Sequence, residues 1–470
     1  MKLNGKMSNI NRTYLIERII LIIIVFTIMQ DFVLAILLNC GVSASALKMV
    51  YYLKEAIILL IGMYVFSIYL SRQYLKISRQ YYILALYIVD IVIYYFVGVV
   101  NIGFKNSTIG VRQYVIPLCM LIIGIFIGRR MDLKAFNILE KNLYYLSVFL
   151  IITTIIERFF VSVDSWKSVN IVRFEAMVKS NSGVYTQSGN TLIQNMYTSG
   201  VRRAIGVAAN PLLLSYFIIP LLFYFFSKAL FERKNMNRNI LFTILIFICQ
   251  ILTLTRAVLI SELLAIMIFC VVMIICNHKI YNLNIWKLFI ALAVIGAILF
   301  GDKIYNMIYA TLNNLDGGSA GMHMYQFKIG MQNIIDKWYG MGTGSGSNLV
   351  AFLGTSNKTT EFAYSNITLD LGIIGTILYI LLNIDLCKKF IKGIDYCKNN
   401  TKERVLYLTS FLSIVSWLIS GFFSPQMWSM KSVLLSWLLY GIALAFIERS
   451  KNEKKDMGNT ISRFTTSTFE

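Results

Sequence analysis

Apolar runs of about 20 residues recur from one end of the chain to the other, and nothing else constrains its fold as strongly. Each run is long enough to cross ~30 Å of hydrocarbon as a helix. In hydrocarbon every backbone N–H and C=O needs a partner within the protein, and a helix supplies it. The runs are continuous rather than alternating, so they do not read as barrel strands. Of 470 residues, 57% are hydrophobic and 14% charged, and the mean hydropathy is +0.67. The sequence predicts an all-α polytopic membrane protein, with residues 1–470 forming a single integral membrane domain. About twelve transmembrane helices are expected, near residues 16–38, 49–70, 82–100, 110–128, 143–162, 206–227, 239–255, 257–276, 287–301, 367–386, 406–422 and 432–447. The run Ile19–Leu38 is too long for the apolar core of a signal peptide and contains Asp31, so it reads as a retained first span.

The net charge of +21 would suit a nucleic-acid binder, but the basic residues mostly fall in short loops between apolar runs. That is the pattern of the positive-inside rule, so no nucleic-acid partner is expected and membrane lipids are. The clusters Arg72, Lys76, Arg79; Arg129, Arg130, Lys134; Lys228, Arg233, Lys234, Arg238; and Lys388, Lys389, Lys392, Lys398 mark the cytoplasmic side. Both termini are then cytoplasmic, and residues 448–470 form a cytoplasmic tail. A continuous helix over 239–276 would overshoot the bilayer, so a turn is expected at Thr253–Arg256. Two long segments fall on the other side, the outer loops 163–205 and 302–366. Loops of that length are usually functional or disordered. In the second, Met324, Phe327, Met331, Ile334 and Trp338 recur at helical spacing, which predicts an amphipathic helix across the mouth of the membrane domain.

Seven cysteines without a C-x-x-C pair suggest neither a disulfide framework nor a metal cage. Two histidines, His278 and His323, are too few and too far apart for a zinc site. No metal and no cofactor is expected.

The ionisable residues within the spans share a depth. Asp31, Lys54, Glu55, Arg112, Glu157, Arg158, Arg256, Glu262 and Asp370 all fall in outer halves, and Asp90 near the middle. Snorkelling and structural ion pairs would explain any one of them. Their common depth favours a polar cavity open to the outer face, whereas an alternating-access transporter keeps its site near the midplane. Arg173, Arg202, Arg203 and Arg256 are outward by this topology, against the bias that set it. A guanidinium binds phosphate in a planar fork and keeps its charge, so a phosphate or diphosphate at the outer leaflet is the expected ligand. In Arg203-x-x-Gly206-x-x-x-Asn210-Pro211, Gly206 would allow close backbone approach, and Pro211 would open a helix whose free N–H groups add to anion binding. Anchoring of the loop, or contact with phospholipid headgroups, is the other reading. The stretch Gly340-Met-Gly342-Thr-Gly344-Ser-Gly346 lacks the Gly-Lys-Ser/Thr ending of a phosphate loop and reads as a tight turn.

In order and sidedness these features resemble the O-antigen and capsular polysaccharide polymerases (Wzy-type), which share a superfamily with the O-antigen ligases. The resemblance lies in the Arg203–Pro211 motif, in Thr253-Leu-Thr255-Arg256, in Ile334–Gly344, and in Glu361–Gly375, which leads back into the membrane. It covers residues 200–380. It implies a glycosyltransferase of the bacterial plasma membrane that joins polyprenyl-diphosphate-linked oligosaccharide repeat units at its outer face. It also implies working partners such as a flippase and a chain-length regulator. By motif, Arg203 and Arg256 would stabilise the leaving diphosphate. Arg173 and Arg202 are added because they are outward and basic. Gly206, Pro211, Gly342 and Gly344 would be structural. Ligases carry a histidine where this chain has Tyr364, which favours a polymerase. The acceptor-activating base is left open among Glu361, His323, Asp302 and Asp370. The rival readings are a lipid-linked oligosaccharide flippase or exporter, a ligase-type transferase, and a non-enzymatic scaffold.

Overall fold

The computed structural model describes residues 2–71, 81–169, 171–174, 177, 196–198, 201–275, 319–346, 360–396, 400–424 and 429–466. Within these, fourteen helices run in order: α1 (Lys2–Asn39), α2 (Ala44–Ser71), α3 (Tyr82–Ile102), α4 (Phe104–Arg130), α5 (Leu133–Phe160), α6 (Val163–Val169), α7 (Ile171–Phe174), α8 (Pro211–Phe231), α9 (Met236–Leu252), α10 (Arg256–Ile275), α11 (Ser319–Asp336), α12 (Ala363–Tyr396), α13 (Thr401–Ser420) and α14 (Met430–Thr466). Strands among the described residues are confined to a two-residue antiparallel pair, β1 (Tyr197–Thr198) with β2 (Val201–Arg202). The chain is an all-α, multi-pass membrane protein.

Nine helices among the described residues are long and apolar enough to cross a membrane. The other expected spans have reasons to fall short. Helix α9 has 17 residues, and α13 carries Lys402, Glu403 and Arg404 in its first turn. The expected span 287–301 lies outside the described residues. Several helices begin before the expected spans, among them α4, at Phe104 rather than near residue 110, and α5, at Leu133 rather than near residue 143. For α5 the cause is local, since the Asp132 carboxylate accepts a hydrogen bond from the Ala135 N–H, 2.7 Å, and caps the helix.

Burial sorts the helices into centre and rim. Most of α8 and of the apolar part of α14 is buried, as is Val405–Ile414 on α13. On the rim, α3 exposes Tyr82, Leu86, Val89, Ile93, Phe96 and Val100 at helical spacing, the outward apolar face that hydrocarbon selects. Between α4 and α14 the backbones nearly touch. A Cβ at Gly124 would meet the Leu438 carbonyl and Gly441, and one at Gly128 would meet Ala445 and Ile442. Small residues four apart permit this close crossing, and Gly441 answers them from α14.

Short connections make successive helices antiparallel and bring one set of ends together. That end, called here the arginine end, carries the α1–α2 turn, Gly103, α6 and α7, the 201–210 segment, the 253–255 turn and the start of α12. A small apolar cluster of Leu34, Leu38, Leu47, Trp166, Ile171, Phe174, Met196, Ile205 and Ala209 seals it.

The glycine-rich stretch folds into the bundle. Met341 N–H donates to Leu369 C=O at 2.7 Å, and Thr343 N–H to Tyr94 C=O at 3.0 Å. Asp370, fully buried, accepts from Gly344 N–H, Gly346 N–H, Gln113 Nε2 and the Tyr114 hydroxyl at 2.6–2.9 Å. The turn thus seats on the α3–α4 corner and on α12, which breaks at Gly372 (φ 67°). Gly342 meets Gly98, and Gly344 meets Gly110 and Asn106. Gly342→Ala is expected to cost about 3 kcal/mol, from overlap with the Gly98 backbone together with its φ of +98°. Gly41→Ala shares the positive φ but meets nothing within 4 Å. Comparing the thermal unfolding of the two variants in detergent separates overlap from backbone strain.

Candidate functional site

The site is built on three non-helical links at the arginine end. The first is the segment 201–210, and it is held by Glu157 in the last turn of α5. Glu157 is buried. One of its oxygens accepts from Arg202 Nη2 at 2.8 Å and Trp166 Nε1 at 3.2 Å. The other accepts from the Ile205 and Gly206 N–H groups at 2.8 and 3.1 Å. Four donors converge on one carboxylate and fix the chain between β2 and α8.

This arrangement revises the roles of three motif residues. Arg202 is the ion-pair partner of Glu157 and also donates to its carbonyl, 2.9 Å. It anchors the loop, and its charge is already paired. Gly206 does not open space for a ligand: at φ +48° a Cβ would face Leu214 and the Thr154 hydroxyl at 3.1 and 3.3 Å. Pro211 does open α8, but the N–H groups of Leu212 and Leu213 are taken by the Asn210 side chain at 2.9 and 3.2 Å. The α8 start therefore supplies no N–H from these two residues to an anion.

Arg203 turns the other way. Its Nε donates to Thr253 C=O at 2.8 Å and its Nη2 to Thr255 Oγ1 at 3.1 Å. The backbone N–H of the next residue, Ala204, donates to Leu252 C=O at 2.8 Å. These bonds dock the 201–210 segment on the α9–α10 turn, whose Leu254 has the left-handed φ of 51°. For a branched side chain that geometry is costly and clusters at functional sites. The same turn presents Arg256 as the first residue of α10. Burial, and then the Arg256 guanidinium, lower the Arg203 pKa to about 10, which leaves Arg203 charged at neutral pH. Among the described residues no carboxylate pairs with either one. Two like charges share a half-buried corner at a helix start, where the backbone adds further positive potential. Chemically this is an anion site of two guanidiniums.

The remaining candidates lie apart from that corner. Arg173 is exposed on α7, over the apolar cluster that contains Ile205. Glu361 precedes the junction of α12 with α13, where Ala363 N–H donates to Gly421 C=O at 2.9 Å and Phe362 stacks on Phe422. His323 belongs to α11, with its side chain outside the described residues, as is all of Asp302. Asp370 is committed to the glycine turn. The other charges of shared depth are largely paired: Asp31 with Lys431 at 2.6 Å, Glu55 with Arg112 at 2.9 Å, and Lys54 with Gln30 and the Tyr51 carbonyl. These are ion pairs and hydrogen bonds linking α1, α2, α4 and α14. The organising role of Glu157 was not legible in the sequence. Its one signal is an acid in the last turn of a span that precedes an outward arginine pair.

No protein-family model matches the chain, and no curated protein matches its sequence. Glu157→Ala is expected to cost about 3–5 kcal/mol, because it strands Arg202 and two backbone donors in a buried setting. Arg202→Ala leaves three of the four donors in place and is expected to cost less. Thermal unfolding of both variants in detergent checks the order.

Proposed function

We propose that the protein is a polysaccharide polymerase, a glycosyltransferase joining polyprenyl-diphosphate-linked oligosaccharide repeat units at the outer face of a bacterial plasma membrane. The observation that carries this reading is the juxtaposition of Arg203 and Arg256, without a carboxylate partner among the described residues, at a strained turn between α9 and α10. A diphosphate answers that corner in charge and in fork geometry.

In the reaction, charge grows on the leaving diphosphate as the bond to the anomeric carbon breaks. Groups already fixed in place stabilise that charge without reorganising. Arg203 is fixed by Thr253 and Thr255 and retains donor capacity beyond those two bonds. Arg256 stands beside it as the first residue of α10. The resemblance of residues 200–380 to the Wzy-type polymerases supports the same assignment. The depth of the pair also speaks for a transferase over a flippase, which would hold its cations near mid-membrane.

Arg203→Ala and Arg256→Ala are each expected to abolish long-chain polysaccharide while the protein still reaches the membrane, with single repeat units accumulating on lipid. Arg203→Lys keeps the charge and loses the fork, and is expected to retain a small fraction of polymer. Chain-length profiling of the cell-surface glycan reads all three. Normal-length polymer from both alanine variants removes the assignment. Units trapped on the cytoplasmic leaflet would mark a flippase. A cysteine at position 173 is expected to react with an impermeant thiol reagent from outside intact cells, which checks the sidedness.

A further inference from the structure

Below the arginine corner lies a carboxyl that the fold leaves unused. Glu262 is on α10, six residues after Arg256 and about 9 Å along the helix axis. It has no exposed surface, and among the described residues neither of its oxygens has a hydrogen-bond partner. Among the described residues of α8, α10 and α13 no neighbouring charge offsets it. The only other charged residue of α10 is Arg256, that of α8 is Lys228 near its far end, and those of α13 are Lys402, Glu403 and Arg404 in its first turn, also at the far end.

The rest of its buried strip, Val258, Ala265, Ile266 and Phe269, is apolar apart from Ser261. An apolar residue would serve packing better than a carboxyl without a partner, which costs several kcal/mol at such a site. An ionisable group inside a membrane bundle with no structural partner points to function. Across the seam, the hydroxyls of Ser261 and Ser416 lie 2.9 Å apart and set the level at which α10 meets α13. The next residue on α13, Trp417, also has a buried indole N–H without a partner among the described residues. Two unused acceptor oxygens and one unused donor therefore belong to residues that adjoin the Ser261–Ser416 contact on neighbouring helices. That set matches the hydroxyl groups of a sugar.

We propose that Glu262 is the base that takes the proton of the acceptor hydroxyl in the transfer described above, a reading on which this inference rests. As the helices part and water reaches it, the Glu262 carboxyl first gives its own proton to solvent; the acceptor O–H then gives its proton to the resulting carboxylate, and the hydroxyl oxygen forms the new bond to the anomeric carbon. The bond from that carbon to the diphosphate oxygen breaks, and its electron pair leaves on the polyprenyl diphosphate between Arg203 and Arg256. The Trp417 N–H donates to the acceptor sugar. A spacing of about 9 Å along one helix leaves room for a diphosphate and its sugar ring between the arginine and the carboxyl. Glu262 has no exposed surface in this arrangement, so α10 and α13 part at the Ser261–Ser416 contact as the acceptor binds.

The test uses the full-length purified protein in bilayers, with lipid-linked repeat units extracted from a deletion strain of its own host. Glu262→Gln, a neutral residue of the same shape, is expected to lower turnover 10²–10⁴-fold while KM for the lipid-linked unit changes less than about threefold. Glu262→Asp is expected to recover part of that loss. If Glu262→Gln fails to fold, Glu262→Asp decides alone: reduced turnover at unchanged KM supports the assignment, and the wild-type rate overturns it. If Glu262→Gln joins units within tenfold of wild type, or if the whole effect falls on KM, Glu262 is not the base. If the wild type joins units, Arg203→Ala does not and Glu262→Gln does, only the Glu262 assignment falls. If the wild type itself leaves the units unjoined, the polymerase reading falls and the inference with it.

Discussion

At two places where this chain leaves the helix within the bundle, a buried carboxylate collects the N–H groups that the helix would otherwise have satisfied. Glu157 takes those of Ile205 and Gly206, and Asp370 takes those of Gly344 and Gly346. Each carboxylate adds two side-chain donors and becomes a four-coordinate hub. In hydrocarbon no water is available for this task, so irregular backbone is tolerated only where protein groups replace it. Much else at the arginine end depends on these two hubs: the path from α5 to α8, the seat of the glycine turn and the break in α12.

The hubs also divide the intramembrane charges by role. Asp31, Glu55, Glu157 and Asp370 are satisfied by neighbours, so their shared depth reflects the level at which irregular segments and helix ends need holding. Arg203, Arg256 and Glu262 differ. Among the described residues the two arginines lack a carboxylate partner and Glu262 lacks any hydrogen bond. Depth alone does not distinguish a residue that holds the fold from one that is spare; partner accounting does.

The membrane class, nine of the expected spans and the turn at Thr253–Arg256 were legible because hydropathy and length suffice for them. A helix at 319–336 was legible from its spacing, although the expected apolar face is largely exposed and Trp338 falls beyond the helix end, and so was the reading of the glycine stretch as a turn. What escaped was pairing across distant sequence. Arg202 and Arg203 are neighbours of one residue type, yet one faces Glu157 and the other Thr253, because adjacent residues of an extended segment point to opposite sides. Gly206 and Gly342 read as freedom for a ligand or a bend, whereas their missing side chains are filled by Leu214 and by the Gly98 backbone. Gly98 and Gly110 carried no signal, because their meaning lies in a segment more than 200 residues later.

The like-charge corner is the feature least explained by stability. Its two guanidiniums repel, its turn holds Leu254 at positive φ, and burial works against the charge of Arg203. A sequence selected for folding alone would have an acid or a neutral residue at one of these positions. Each unfavourable element is held by a favourable one nearby. Thr253 and Thr255 fix Arg203, the Ala204–Leu252 backbone bond fixes the turn, and Glu157 fixes the segment that carries both. Rigid support around an electrostatically incomplete centre is the arrangement expected when the missing charge arrives with a ligand.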